Sequence, residues 1–292
     1  DIRGEAAALN NLGTLNLDAG DVATAQTDLR HALELYRQLG DLRGAAKALN
    51  NLAILAADHG DYGDALATFD EALRLLGTMG NVRGQSAILN NRGTVLWAVG
   101  QYAQAGAHYR QALRIYREIG NEQAAGETLA NLSLLASSTG DPTSALTLAQ
   151  QAIAASEAYD DRHNLANAWT YLARAQTALG ELDAATDSLC RARSFLGETS
   201  PAARDVEVQA GLAYIALLGG HLAQALAAIE PVLAALAHDP DVTGAEEPMR
   251  IHWISYRVLQ ACGDPRAEPV LLRARATLAA LAARLTDPEL QR

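Results

Sequence analysis

Apolar residues recur along this chain at intervals of three and four, as at Leu29, Leu33 and Tyr36 or at Phe69, Leu73 and Leu76. That spacing lines one face of an α-helix, and no stretch carries the alternation of a strand. The helical blocks are punctuated about every twenty residues by a glycine followed by Asp or a relative. The pairs are Gly20-Asp21, Gly40-Asp41, Gly60-Asp61, Gly80-Asn81, Gly100-Gln101, Gly120-Asn121, Gly140-Asp141, Gly180-Glu181 and Gly220-His221. Glycine supplies the left-handed residue that ends a helix, and the polar residue after it can cap the next one. The pattern predicts helix pairs, the first helix of each over 5–18, 44–58, 84–98, 124–138, 164–178, 204–218 and 247–261, with the second after the Gly-Asp turn.

A longer similarity returns every forty residues. Ala8-Leu9-Asn10-Asn11-Leu12-Gly13 is echoed by Ala48-Leu49-Asn50-Asn51-Leu52-Ala53 and by Ile88-Leu89-Asn90-Asn91-Arg92-Gly93. The chain's 292 residues hold about seven such units, the scale of a repeat array. The repeat degrades toward the end, where Asp160-Asp161 and Ser200-Pro201 stand in for glycine turns. Six helix pairs are expected over 1–236, a longer loop over 237–248, and a degenerate capping pair over 249–292, including a helix from Ala274 to Arg284.

Small residues recur at matched places: Gly13, Ala53, Gly93, Ser133, Ala173 and Ala213 in first helices, and Ala25, Ala65, Ala105, Ala145, Ala185 and Ala225 in second ones. Ala32, Ala72, Ala112, Ala152 and Ala192 form a third series. Only small side chains fit where two helices cross closely. With the Leu-x-x-Leu-Gly and Gly-Asp signatures, these positions resemble the tetratricopeptide repeat family over nearly the whole chain. The forty-residue unit and the Gly-x-Arg-Gly signature at Leu42-Arg43-Gly44 and Val82-Arg83-Gly84 resemble kinesin light chains, cell-polarity adaptors and the sensor arms of bacterial STAND-type signalling ATPases. The resemblance implies an all-α, right-handed superhelical solenoid of about seven antiparallel helix pairs. It also implies a concave groove that holds a protein or peptide, with no cofactor.

Composition narrows this further. A net charge of −11 repels phosphate backbones and argues against a nucleic-acid partner. No apolar run approaches the roughly 20 residues needed to span a bilayer, so no membrane partner is expected. Two distant cysteines, Cys190 and Cys262, fit a reducing, cytoplasmic setting without a disulfide framework or structural zinc. The chain opens at Asp1 in mid-pattern, and the expectation is a piece of a larger protein with a nucleotide-binding domain upstream.

Catalytic patterns are missing. There is no phosphate loop, and the stretch from Gly40 to Lys47 is a repeat turn; no His-Glu-x-x-His or Gly-x-Ser-x-Gly occurs. The seven histidines lack metal-ligand spacing. Binding rather than catalysis is expected.

The informative polar feature is a series of asparagines. Asn11, Asn51, Asn91 and Asn131 share one place in four consecutive first helices, and Asn10, Asn50 and Asn90 precede three of them. Asparagine inside a helix costs roughly several tenths of a kcal/mol relative to alanine, so its repetition points to a compensating role. The family resemblance puts this position on the concave face, where amides can hydrogen-bond an extended peptide; equally, the amides can bond only to neighbouring turns. The same helical face carries Lys47, Trp97, Tyr171, Arg174 and Tyr214. Arg92 stands where sister units have Leu12, Leu52 and Leu132, and meets either an acidic neighbour or an anionic ligand.

Overall fold

The computed structural model describes residues 1–18, 20–197, 202–240, 242 and 244–284. Among them it has fourteen α-helices and no strand. The chain divides into two compact units, residues 1–121 together with Arg284, and residues 122–283.

The first unit holds three antiparallel pairs: α1 (Ile2–Asp18) with α2 (Val22–Gln38), α3 (Leu42–Asp58) with α4 (Tyr62–Thr78), and α5 (Val82–Ala98) with α6 (Tyr102–Glu118). Each corner between helices turns through a glycine with positive φ, and the residue after it caps the next helix through its side chain at Asp21, Asp41 and Asn81 but not at Asp61 or Gln101. After α2, Gly40 takes φ +66°, its N–H donates to the Arg37 carbonyl, and the Asp41 N–H reaches back to Tyr36. This pairing satisfies the last carbonyls of the helix. Asp41 then caps α3 by accepting from the Gly44 N–H at 3.0 Å. Because the cap is the residue directly after the glycine, first helices begin two residues earlier than 44 or 84.

The unit's core is built of small residues against large ones. Ala25, Ala32, Ala65, Ala72, Ala105 and Ala112 are completely buried. A Cβ at Gly13 would sit 2.6 Å from Leu29, and one at Gly93 would sit 2.7 Å from Tyr109. The smallness of the first-helix position is therefore set by the side chain that the second helix drives into it.

The second unit contains α7 (Glu122–Ser138), α8 (Pro142–Glu157), α9 (Arg162–Leu179), α10 (Leu182–Phe195), α11 (Ala202–Leu218), α12 (Leu222–His238), α13 (Pro248–Ala261) and α14 (Ala267–Arg284). The corner without glycine survives. Asp160 adopts φ +50°, which Asp tolerates better than most residues, and Asp161 caps α9 through Asn164. Ser200-Pro201 lies outside the described residues. First helices α9, α11 and α13 lie side by side; Ile229, Val232, Ile251 and Ile254 fill the space among α11, α12 and α13, while Val208 packs toward α9 and α10 with Ala173 and Leu189. A long connection separates α12, which ends at His238, from α13, which starts at Pro248. α14 begins at Ala267, earlier than Ala274, and buries none of its side chains. Among the described residues no helix is long and apolar enough to cross a membrane.

Candidate functional site

The asparagines of the first unit link one first helix to the next. Asn51 on α3 donates from Nδ2 to Asn10 Oδ1 on α1 at 3.3 Å and to Thr14 Oγ1 at 3.2 Å. Asn91 on α5 donates to Asn50 Oδ1 at 3.0 Å, and Asn50 donates to Asn51 Oδ1 at 3.3 Å. The second asparagine of a pair thus reaches the first asparagine of the preceding unit. Asn10 and Asn90 are buried, whereas Asn51 and Asn91 are half-buried and Asn11 is exposed, as is Lys47 on the same run of helices. Asn131 stands half-buried on α7 of the second unit, and Trp97 is half-buried on α5.

Arg92 turns toward the second helices. Its Nε donates to Asp70 on α4 at 2.9 Å, and its Nη1 meets the His108 Nε2 on α6. Burial, then the Arg92 charge, hold the His108 pKa below its ordinary value, against the pull of Asp70. This is the acidic-neighbour arrangement, with the guanidinium bridging two helices.

In the second unit, two predicted groove residues of one helix meet charged groups from α11 and from the chain beyond α12. Tyr171 and Arg174 on α9 meet Glu207 on α11, and the chain's own residues 244–247 lie against them. The Tyr171 hydroxyl donates to the Glu246 carboxylate, and Arg174 pairs with Glu247. Arg204 donates to Glu207 and to Glu246, each at 2.9 Å, and to the Asn167 side-chain carbonyl. The backbone is held too: Glu207 Oε1 accepts from the Glu246 N–H at 2.7 Å and from the Glu247 N–H at 3.0 Å. Arg250, at the start of α13, lines the same cavity but takes no part in these bonds. What remains open is about 30 Å³, room for a water or two. Tyr214 sits about two turns beyond Glu207 along α11, its ring 5.2 Å from that of Trp253.

Burial sets the electrostatics of this cluster. It raises the Tyr171 pKa well above that of a free phenol, and Glu246 adds to the rise. Burial also raises the Glu207 pKa, although Arg204 opposes it. For Arg204 itself burial works against the charge, but the Glu246 carboxylate foremost, with Glu207, outweighs it and holds the guanidinium charged. The Arg250 pKa is lowered, first by burial and then by Arg174. Three guanidiniums therefore face three carboxylates, two of which belong to the connecting segment.

Sequence reasoning found Tyr171, Arg174 and Tyr214 but passed over Arg204, Arg250, Glu246 and Glu247. Arg204 did leave a signal, since sister units have Gly44, Gly84, Ala124 and Asn164 at its place. The two glutamates left none, because their role depends on where the long connection lies.

A family description for the tetratricopeptide repeat matches residues 4–77 and 84–158, just over half of the chain. No curated protein matches it. Solved structures agree on the fold. A tetratricopeptide repeat protein from Parabacteroides merdae is 19% identical, with a TM-score of 0.55 over 99% of this chain and 96% of that one. BtubC from P. vanneervenii is 21% identical, with a TM-score of 0.58 over 66% and 80%. The Rap conjugation gene regulator of plasmid pLS20, solved with the Phr* peptide, is 17% identical, with a TM-score of 0.61 over 81% and 65%. The repeated corners, the small-residue crossings and the matched residues make this chain a member of the tetratricopeptide repeat family.

Proposed function

We propose that the chain is a peptide- or protein-binding module of a larger signalling protein, specifically the ligand-sensing arm of a STAND-type ATPase with its nucleotide-binding domain upstream. One observation carries the peptide-binding part. The face formed by α9 and α11 already grips a stretch of polypeptide by its side chains and by two main-chain N–H groups. A face that reads the backbone as well as the side chains suits an extended peptide. The Rap regulator solved with a peptide is a structural neighbour that supports the same reading. The forty-residue unit and its Asn-Asn signature support the STAND assignment.

In this reading Asn11, Lys47, Asn51, Asn91 and Trp97 belong to a peptide-contacting face of the first unit, and Asn131, Tyr171, Arg174 and Tyr214 to one of the second. Arg92, engaged with Asp70, positions α5 rather than touching ligand. The amides of Asn51 and Asn91 also tie units together, so the sharper test uses exposed groups. A peptide selected from a displayed library against the full chain should bind the Asn11→Ala/Lys47→Ala variant about tenfold more weakly, with unchanged melting. Undiminished affinity would remove this face from the proposal. The second reading, a constitutive assembly adaptor like a kinesin light chain, separates by function. In the full-length protein, a sensor should assemble with ATP only when the selected peptide is present, while an adaptor should be indifferent to it.

A further inference from the structure

Residues 244–247 behave as a ligand supplied by the chain itself. Ala245 and Glu247 are half-buried, while Gly244 and Glu246 are exposed. Almost all of the grip on them is polar: Tyr171 and Arg204 on the Glu246 carboxylate, Arg174 on Glu247, and Glu207 on the two main-chain N–H groups. The segment is tethered at both ends, by Val242, which is only 3% exposed in the core beside α12, and by Pro248, which opens α13. Lifting residues 244–247 uncovers little apolar surface, so what keeps them in place is the polar network itself, which a ligand offering the same groups can replace.

The chemistry left behind would be unusual for this protein. With the segment in place, Arg174, Arg204 and Arg250 are balanced by Glu207, Glu246 and Glu247. With it lifted, three guanidiniums face Glu207 alone, a positive pocket on a chain whose net charge is −11. Unpaired charges in a half-buried site are costly, so a replacement carboxylate is strongly favoured. Arginine pairs with carboxylates through two parallel bonds, and Arg250 stands in the cavity outside the present network, ready for one more.

Resting on the peptide-binding reading above, we propose that Tyr171, Arg174, Arg204 and Arg250 form a receptor for an acidic peptide segment with adjacent Glu or Asp side chains, and that Glu246 and Glu247 occupy it as a tethered competitor which such a ligand displaces. The tether acts as a local concentration on the order of millimolar, so the parent chain binds an outside ligand with affinity reduced by the fraction of time the site is free.

The test uses the full chain and two labelled octapeptides. One has the chain's own sequence from residue 242 to 249; the other carries Gln in place of both glutamates. Glu246→Gln/Glu247→Gln protein should bind the acidic peptide about tenfold or more tightly than the parent does, and prefer it over the Gln peptide. Adding Arg174→Ala should abolish that preference. The parent needs no substitution for a second measurement: saturating acidic peptide should speed hydrogen exchange at residues 244–247 while α9 and α11 stay protected, a result available even if the double variant folds poorly. Equal binding of the two peptides overturns the acidic selectivity while peptide binding itself stands. Unchanged exchange at 244–247 in the presence of bound acidic peptide overturns the displacement. Binding of neither peptide to a folded, released variant overturns the receptor, whereas the library-selected peptide decides the broader reading separately.

Discussion

Gly93 and Tyr109 show how much one residue depends on another that the chain reaches only after turning a corner. The Tyr109 ring is buried beneath α5, its hydroxyl donating to Thr94 at 3.1 Å, and an added Cβ at Gly93 would lie 2.7 Å from Cε1. Gly93→Ala should therefore destabilise the first unit by about 1–3 kcal/mol, read as a lower urea midpoint. A ring that cannot move makes this an overpacking cost, although alanine would ordinarily favour the helix. The recurrence of small residues was visible in the sequence; their partners were not. Arg92 is the same lesson in charge. Its departure from leucine was legible, but its choice of Asp70 and His108 needed α4 and α6 side by side.

At the scale of elements, the corners were the most readable feature, because a glycine with positive φ followed by a capping carboxylate or amide is a local arrangement. Asp160 shows that the geometry, rather than the glycine, is what persists. The corner between α13 and α14 adds a guanidinium. Arg266 bonds Asp264 through its side chain and its backbone N–H, and also grips Glu230 on α12 at 2.6 and 2.9 Å. These bonds, the side-chain ones foremost, lower the Asp264 pKa from 3.8 to about 2. A carboxylate whose folded pKa is depressed contributes stability above its unfolded value and loses it as pH falls through the folded one. The link should be intact at pH 4 and lost toward about pH 2. A carbon-detected NMR titration should find Asp264 at about 2 in the parent and closer to 3.8 after Arg266→Ala. A normal pKa in the parent would mean that the link does not form in solution.

On the scale of the whole molecule, the chain has two units with separate cores, and within each unit a helix packs on its neighbours in the stack. Damage should therefore stay local. Ile229 is completely buried in the core shared by α11, α12 and α13 of the second unit. Ile229→Ala should cost about 2–5 kcal/mol and speed hydrogen exchange in α11, α12 and α13, leaving α3 and α4 unchanged. Equal loosening of all helices would contradict nearest-neighbour stacking.

The order of residues by itself determined the helical blocks, their corners, the forty-residue period and the small-residue crossings. All of these follow from backbone conformations and side-chain sizes within one turn or one pair. It also singled out Tyr171, Arg174 and the asparagines, since a shared helical face is a local property. Only tertiary structure decided that Asn51 and Asn91 reach back to the preceding unit, and that Glu246 lies against Tyr171, 75 residues earlier. Such contacts depend on how a long connection crosses a stack of helices, and charged pairs at that separation leave no period in the sequence to read.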